Sequence, residues 1–154
     1  MTNMMENMKL IAHRGNVSGK CPESENKPSY IESAISQGYD VEIDVWFVND
    51  KFMLGHDEPQ YETSLSFLEE HQDKLWVHCK NLEALFALNK IKHLNVFFHD
   101  VDDATLTSHG HIWTYPNKPL MPNSVCVLPE LGIDGDIEQC YGICSDYLTR
   151  YEHI

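Results

Sequence analysis

Short β-rich runs and helical stretches alternate along the first half of the chain. A strand is predicted over Lys9–His13, and the apolar spacing of residues 29–37 predicts a helix. A second strand is predicted over Asp40–Val48, and the turn residues after it predict a hairpin into residues 51–55. This alternation is typical of folds built from βα repeats on a largely parallel sheet.

The helical part of this alternation disappears beyond Asp100. Before that point we predict helices over residues 64–73 and 82–92, and strands over 75–80 and 95–99. The later candidate strands, at 111–115, 124–128 and 141–145, are separated by segments too short or too rich in proline for full helices. We therefore predict an α/β fold, a reduced TIM-type (β/α) barrel of about seven to eight strands with several outer helices missing.

One domain is predicted, because the 154 residues show no repeat, low-complexity tract or linker. Residues 1–8 are polar and rich in methionine, which predicts a flexible N-terminal segment ahead of a barrel domain over 9–154. The missing outer helices would leave apolar barrel surface for a second copy of the chain to cover, which favours a homodimer.

The charge excludes some classes of partner. Lys and Arg number 11 against 24 Asp and Glu, so the net charge is −13 and nucleic acids and anionic membrane surfaces are disfavoured. No apolar run approaches the roughly 20 residues of a membrane span. The start of the chain lacks the pattern of a secretory signal, and five cysteines without a C-x-x-C pair predict reduced thiols in the cytoplasm. A secreted fragment with one disulfide stays an alternative.

The most informative motif is Glu42-Ile43-Asp44 in the second predicted strand. Strand alternation sends both carboxylates to one face and the flanking branched residues to the other. Two carboxylates inside a barrel repel each other unless a cation lies between them, and Mg²⁺ or Ca²⁺ suits an oxygen-rich pair. The alternative is an exposed face of an edge strand, which the apolar flanks disfavour.

Three further motifs fall where predicted strands or the hairpin end. His13-Arg14-Gly15 offers a proton carrier and a phosphate-binding fork, although the tripeptide alone equally fits a surface turn. His56 adds a second histidine for acid–base chemistry. In His78-Cys79-Lys80, alternation places His78 and Lys80 on one face, where they could bind a metal and a phosphate or simply cap the strand end.

The second half offers weaker candidates. The group around His99 and Asp100 is interpreted as solvated loop residues, because nine histidines in one chain make chance proximity common. Trp113 is predicted to pack in the core. The sequence leaves open whether Tyr115 also packs there or lines a pocket. Glu130 follows a predicted strand and is a candidate for the pocket wall opposite the metal.

The order of the motifs resembles the glycerophosphodiester phosphodiesterase family, within the phospholipase-C-like phosphodiesterase superfamily. The matching segments are Ile11-Ala12-His13-Arg14-Gly15, Glu25-Asn26, Glu42-Ile43-Asp44 and His56-Asp57. The resemblance is dense over about the first third of the chain, with weaker echoes in His78-Cys79-Lys80 and in residues 142–147.

The resemblance implies a role for each matching residue. His13 and His56 would be the general acid–base pair, and Glu42 and Asp44 would hold one divalent cation. Arg14, Lys80 and Glu25 would form the substrate-binding set. One departure is His78, which stands where the family usually has a third metal-binding carboxylate; imidazole opens the site to transition metals as well as Mg²⁺ or Ca²⁺.

The expected function is metal-dependent hydrolysis of a glycerophosphodiester-type substrate to an alcohol and a phosphomonoester. A small-molecule phosphodiester is then the partner, with no nucleic acid and no membrane insertion. The alternative is a degenerate barrel that binds a phosphate or a head group without turnover. Retention of both histidines and of the Glu-x-Asp pair favours the enzyme, whereas the short second half favours the binding module. A lipid-cleaving enzyme is a weaker alternative, since the chain shows no obvious membrane-docking helix.

Overall fold

The computed structural model describes residues 8–152, so residues 1–7 of the expected flexible segment lie outside the described part. It contains ten β-strands and three short α-helices within that part. The strands are β1 Lys9–His13, β2 Asp40–Val48, β3 Lys51–Leu54, β4 Tyr61–Thr63, β5 Leu75–Cys79, β6 Asn95–Phe98, β7 Ala104–Leu106, β8 Ile112–Thr114, β9 Ser124–Val127 and β10 Gly142–Ser145. The helices are α1 Pro28–Ser36, α2 Leu65–Glu70 and α3 Leu82–Leu88.

All ten strands belong to one mixed sheet. Parallel pairings run through β6, β5, β2, β1, β10, β9 and β8 in that spatial order. The antiparallel pairings are β3 with β2, β4 with β3, and β7 with β8. The β2–β3–β4 meander therefore branches from the carboxyl-terminal half of β2, which also pairs with β1 and β5, and β7 forms the edge beyond β8.

The sheet curls so that distant strands face each other. The ring of Trp76 on β5 lies 5.7 Å from that of Trp113 on β8, although four strands separate β5 from β8 in the sheet. Phe97 on β6 lies 4.7 Å from the same Trp113 ring. Within residues 8–152, no ladder joins β6 to β7 or β8; instead the Ser108 amide donates to the carbonyl of Val96 at 2.8 Å.

The expected reduced TIM-type barrel is therefore wrong. The structure is mostly sheet, a curled mixed half-barrel with only three short helices, and it lacks a regular alternation of strands and helices over residues 8–152. The physical reason lies in the connections after β6. Five residues join β6 to β7, five join β7 to β8 and nine join β8 to β9, which is too few for crossover helices, and β7 pairs antiparallel with β8.

The three helices cover the outer face of β1, β2, β5 and β6. Each begins with a residue suited to a helix start: Pro28 at the first position of α1, and Ser64 and Asn81 as caps of α2 and α3. Ile31, Ile43 and Leu88 are fully buried in the core between these helices and the sheet. Burial of such a side chain stabilises the fold by about 1.5–3 kcal/mol, which fixes the strands that carry the site.

Among residues 8–152, no α-helix packs against the outer face of β9. Cys126 packs there with Leu120 and Cys140, which come from the loops before β9 and before β10. Loops thus supply the apolar cover that helices give to the first half. No helix in residues 8–152 is both long and apolar enough to cross a membrane.

Candidate active site at the carboxyl ends of the strands

The inner face of the curled sheet has two layers. The lower layer is apolar and contains Ile11, Trp76, Phe97, Trp113 and Cys144. Because side chains on one face of a strand recur every second residue, the residues two positions later form the upper layer. The upper layer is polar and consists of His13, His78, His99, Tyr115 and Asp146. The same alternation on β2 places Glu42 and Asp44 inside, while Val41, Ile43 and Val45 pack under the helices.

Glu42, Asp44 and His78 form a buried cluster in this upper layer. One ligand atom from each lies within 4.8 Å of the other two. The Nδ1 atom of His78 is 3.2 Å from Oδ1 of Asp44 and 3.7 Å from Oε2 of Glu42. The parallel register pairs Glu42 with Trp76 and Asp44 with His78, so neighbouring strands bring these residues together.

The electrostatics of the cluster favour a positive charge at its centre. Burial lowers the pKa of His78, but its contacts with Asp44 and Glu42 outweigh that effect and raise the pKa to about 9. Burial likewise raises the pKa of Asp44, and contacts with His78, Asn26 and Arg14 bring it well below its usual range. The imidazolium therefore balances the carboxylates in this arrangement.

The same cluster fits a divalent cation. Asp44 Oδ1 is buried and accepts no hydrogen bond in the described part of the chain; it lies 3.2 Å from His78 Nδ1, and a cation bound between the two would displace the imidazolium proton. Its other oxygen accepts from Nδ2 of Asn26 at 2.9 Å, which fixes the carboxylate. A site with two carboxylates and one imidazole is less selective for Mg²⁺ or Ca²⁺ than an all-oxygen site, and it can also bind Mn²⁺ or Zn²⁺.

His13 is held by Asp146 from the far end of the chain. The Nδ1 atom of His13 lies 2.8 Å from Oδ1 of Asp146, and its Nε2 lies 4.0 Å from Oε1 of Glu42. Burial lowers the pKa of His13, but the hydrogen bond to Asp146 and the charge of Glu42 outweigh it, so the pKa is raised. Asn16 also donates to Asp146 Oδ1, at 2.9 Å. A carboxylate behind Nδ1 orients Nε2 for proton transfer, as in hydrolytic triads.

Arg14 is positioned by Glu25. Its guanidinium donates to Oε1 of Glu25 at 3.1 Å, and the other oxygen of Glu25 accepts from Asn16 at 3.0 Å. The Nε atom of Arg14 lies 3.8 Å from Oδ2 of Asp44 and has no hydrogen-bond partner in the described residues. Both oxygens of Glu25 are thus occupied by the protein, so its visible role is to hold Arg14 and Asn16.

These groups surround a cavity of about 340 Å³. His56 reaches it from the loop after β3, and Lys80 reaches it from the end of β5. His56 Nδ1 lies 2.7 Å from Oδ1 of the exposed Asp57. The residues that line the cavity include His13, Arg14, Glu42, Asp44, His56, His78, Lys80, His99, Asp100, Trp113 and Tyr115.

Seven of the eight expected site residues therefore line one cavity. Glu25 is the eighth and lines an adjoining cavity of about 350 Å³, which shares His13, Arg14 and His56 with the first. Glu130, the candidate for the pocket wall, lies elsewhere: it accepts hydrogen bonds from Ser145 and Tyr151 and lines a smaller neighbouring cavity.

Sequence reasoning missed the roles of Asp146, Asn16 and Asn26. Asn26 holds Asp44 through a pair of bonds, because its Oδ1 also accepts the backbone amide of Asp44 at 3.0 Å. The position of Asp146 could have indicated its contact with His13. Asp146 lies one residue beyond β10, and the parallel register of β1 and β10 places it beside His13 at the end of β1. The sequence predicts a solvated loop residue at His99 and leaves open whether Tyr115 packs in the core or lines a pocket. Both residues line the cavity.

Comparison of the chain with protein-family models, curated proteins and solved structures found no match.

Proposed function

We propose that the protein is a metal-dependent phosphodiesterase that hydrolyses a glycerophosphodiester-type substrate to an alcohol and a phosphomonoester. One observation carries the proposal: a single cavity is lined by His13 and His56, by two cationic side chains and by a buried cluster that fits a divalent cation. This combination is what cleavage of a phosphodiester needs, namely proton transfer on two sides of the scissile bond and stabilisation of developing negative charge.

In this proposal the two histidines form the acid–base pair. One takes a proton from the attacking water as its oxygen bonds to phosphorus, and the other gives a proton to the alkoxide as the phosphorus–oxygen bond breaks. His13 suits proton transfer because Asp146 holds its Nδ1, so that its Nε2 points toward Glu42 and the cavity. His56 is more exposed, which suits exchange of protons with solvent.

The phosphate would bind to Arg14 and Lys80. The protein has only 11 Lys and Arg in all, and Arg14, Lys20 and Lys80 line the two adjoining cavities. Such local clustering allows an anion to bind inside a protein of net charge −13. Glu42, Asp44 and His78 would hold the divalent cation, which when bound supplies a Lewis acid next to the phosphate.

The decisive experiment measures release of free alcohol from glycerophosphocholine and glycerophosphoethanolamine with Mg²⁺, Ca²⁺, Mn²⁺ or a chelator. We expect cation-dependent turnover that His13→Ala lowers by at least about 100-fold, the usual contribution of a general acid or base. His93→Ala is the matched control, because His93 is exposed and precedes β6 at the opposite end of the strands. Full activity of His13→Ala would contradict the assignment of the acid–base pair.

The second candidate function is a binding module for a phosphorylated head group. The exposure of His56 favours it, since 38% of that side chain is accessible and a solvent-exposed acid is less firmly positioned than a buried one. Absence of turnover with every cation, together with a rise in melting temperature on addition of glycerophosphocholine, would support this function over the enzyme.

The cytoplasm is the compartment we propose. All five cysteines are free thiols in the structure, and four of them are buried. A reducing compartment keeps such thiols from oxidation.

A further inference from the structure

Asn16 lies where the hydrogen bonds that hold His13 and Arg14 meet. It is fully buried just after β1 and is not among the residues that line the two adjoining cavities. Its Nδ2 donates to Oε2 of Glu25 at 3.0 Å and to Oδ1 of Asp146 at 2.9 Å. Asn16 therefore contacts the site through these two carboxylates.

The other end of the Asn16 amide is bound to the scaffold. Its Oδ1 accepts the backbone amide of Cys21 at 3.2 Å and the hydroxyl of Tyr30, on α1, at 2.9 Å. A primary amide has two donor hydrogens and an oxygen with two lone pairs, and all four are used here. The reverse orientation would direct the oxygen at two carboxylates, which when ionised donate no hydrogen bond. The side chain of Asn16 thus has one orientation, with its nitrogen toward the site.

Glu25 and Asp146 each hold one side chain of the proposed mechanism. Oε1 of Glu25 accepts from the Arg14 guanidinium at 3.1 Å, and Oδ1 of Asp146 lies 2.8 Å from Nδ1 of His13. For Glu25, the bond from Asn16 to its second oxygen stops the carboxylate from turning away from Arg14. For Asp146, the bond from Asn16 fixes the same oxygen that faces His13.

We propose that Asn16 is a positioning residue that aligns Arg14 for phosphate binding and His13 for proton transfer at the same time. This inference rests on the proposed function, which assigns those two roles. A misplacement of about 1 Å at a reacting group can cost about 100-fold in rate, so one amide that fixes both carboxylates affects both binding and chemistry.

Loss of stability would not identify this role, because removal of any buried and fully bonded amide destabilises a protein. The role is identified by the separate effects on kcat and KM. For Asn16→Ala we expect kcat with glycerophosphocholine to fall about tenfold and KM to rise about tenfold, the usual effect of a lost hydrogen bond to a charged group. Asn16→Ser keeps a small donor and should show smaller changes of the same kind. It replaces Asn16→Ala in every comparison if the alanine variant does not fold.

Two double variants show which carboxylate carries each effect. In an Asp146→Asn background, Asn16→Ala should no longer lower kcat but should still raise KM, because the contact that orients His13 is already lost. In a Glu25→Gln background, it should no longer raise KM but should still lower kcat. A general loosening of the fold would instead change kcat and KM by the same factors in both backgrounds.

Asn95→Ala is the matched control for a buried asparagine. Asn95 is 6% exposed and begins β6, at the opposite end of the strands from the site. Its Oδ1 accepts the backbone amide of His109 at 3.1 Å. This variant should lower the melting temperature, as Asn16→Ala does, but should keep the wild-type kcat, KM and phosphate affinity.

Calorimetric titration with inorganic phosphate in the presence of Mg²⁺ needs no turnover. We expect Asn16→Ala to weaken phosphate binding about tenfold, through Arg14, and to weaken it no further in a Glu25→Gln background. Unchanged phosphate affinity in Asn16→Ala would overturn the inference, as would a wild type that binds no phosphate or equal effects on kcat and KM in the two double variants. An inactive wild type would refute the proposed function instead, and the phosphate titration would then decide the inference.

Discussion

In the proposed mechanism Asp146 is a positioning residue, because its visible contact is with His13. Its Oδ1 lies 2.8 Å from His13 Nδ1 and also accepts from Asn16. Asn in its place would present an amide to the imidazole and favour the wrong tautomer. We therefore predict that Asp146→Asn lowers kcat by about 10²- to 10⁴-fold while KM changes little.

The kcat and KM of Asp146→Asn are compared with those of Asp103→Asn. Asp103 lies on an exposed loop, where its carboxylate pairs with Lys118. The control should retain wild-type kinetics. A large rise in KM for Asp146→Asn with unchanged kcat would mean that Asp146 contributes to binding and not to the orientation of His13.

The same pair makes stability depend on pH. The pKa of Asp146 is lowered from 3.8: burial raises it, but the hydrogen bond and charge of His13 outweigh that effect. The pKa of His13 is raised from 6.5. The Asp146 contribution is thus present above pH 3.8 and lost as the pH falls through the lowered pKa, and the His13 contribution is present below pH 6.5 and lost as the pH rises through the raised pKa.

We predict that the free energy of unfolding of the wild type exceeds that of Asp146→Asn most between about pH 4 and pH 6.5. Urea unfolding in a chelator at pH 3, 5 and 8 measures this, and taking the difference between the two proteins cancels titrations that they share. A difference that is independent of pH would show that the two side chains do not form an ion pair.

At the level of elements, the sequence predicted the longer strands and the hairpin of β2 with β3, and it missed the shortest strands. The bounds of β1 and β2 agree with the prediction, because each is a run of branched and apolar residues bounded by turns. Two short strands, β4 and β7, were missed: they have only three residues each and are defined by pairing with a neighbour. Helices α2 and α3 are shorter than predicted and end at Glu70 and Leu88.

The loop between β3 and β4 positions His56, and Gly55 is its critical residue. Gly55 has φ +152°, and a Cβ there would meet the carbonyl oxygen of Glu58 at 2.0 Å. Its carbonyl accepts from the Trp46 indole at 2.6 Å, which ties the loop to β2. We predict that Gly55→Ala displaces the loop with His56, lowering both turnover and the free energy of unfolding, the latter by more than about 3 kcal/mol.

Gly110→Ala separates backbone strain from the clash. Gly110 has φ +90°, and a Cβ there would meet nothing within 4 Å. This variant should lose only about 1–2 kcal/mol of stability and keep full turnover. Chemical unfolding and the alcohol-release assay measure both variants. Equal losses in the two would mean that the loop around Gly55 adjusts without moving His56.

At the level of the whole molecule, the curl of the sheet creates the site. His13 and Asp146 lie 133 residues apart in sequence but on neighbouring strands. The alternation of Glu42 and Asp44 shows that both share a face, and this much could be predicted from sequence. The residues that face them across the cavity come from β8, β10 and the segments after them. The path of this part of the chain, which has no α-helices between its strands, is not encoded in any local sequence pattern. The prediction of a reduced TIM-type (β/α) barrel failed for the same reason.

Because Glu42, Asp44 and His78 come from the central strands β2 and β5, a cation bound there should stabilise the whole fold. A ligand that binds only the folded state at 100 times its Kd adds about 2.7 kcal/mol, which raises the melting temperature of a protein of this size by about 5–10 °C. We predict such a rise for the wild type on addition of Mn²⁺ to chelator-treated protein. The double variant Glu42→Gln/Asp44→Asn should lose the rise, since it keeps the shapes of both side chains but neither charge. Glu62→Gln, at a side chain that is 63% exposed, should keep the wild-type rise. A rise of the same size in the double variant would place the cation outside the cavity and remove the metal from the proposed function.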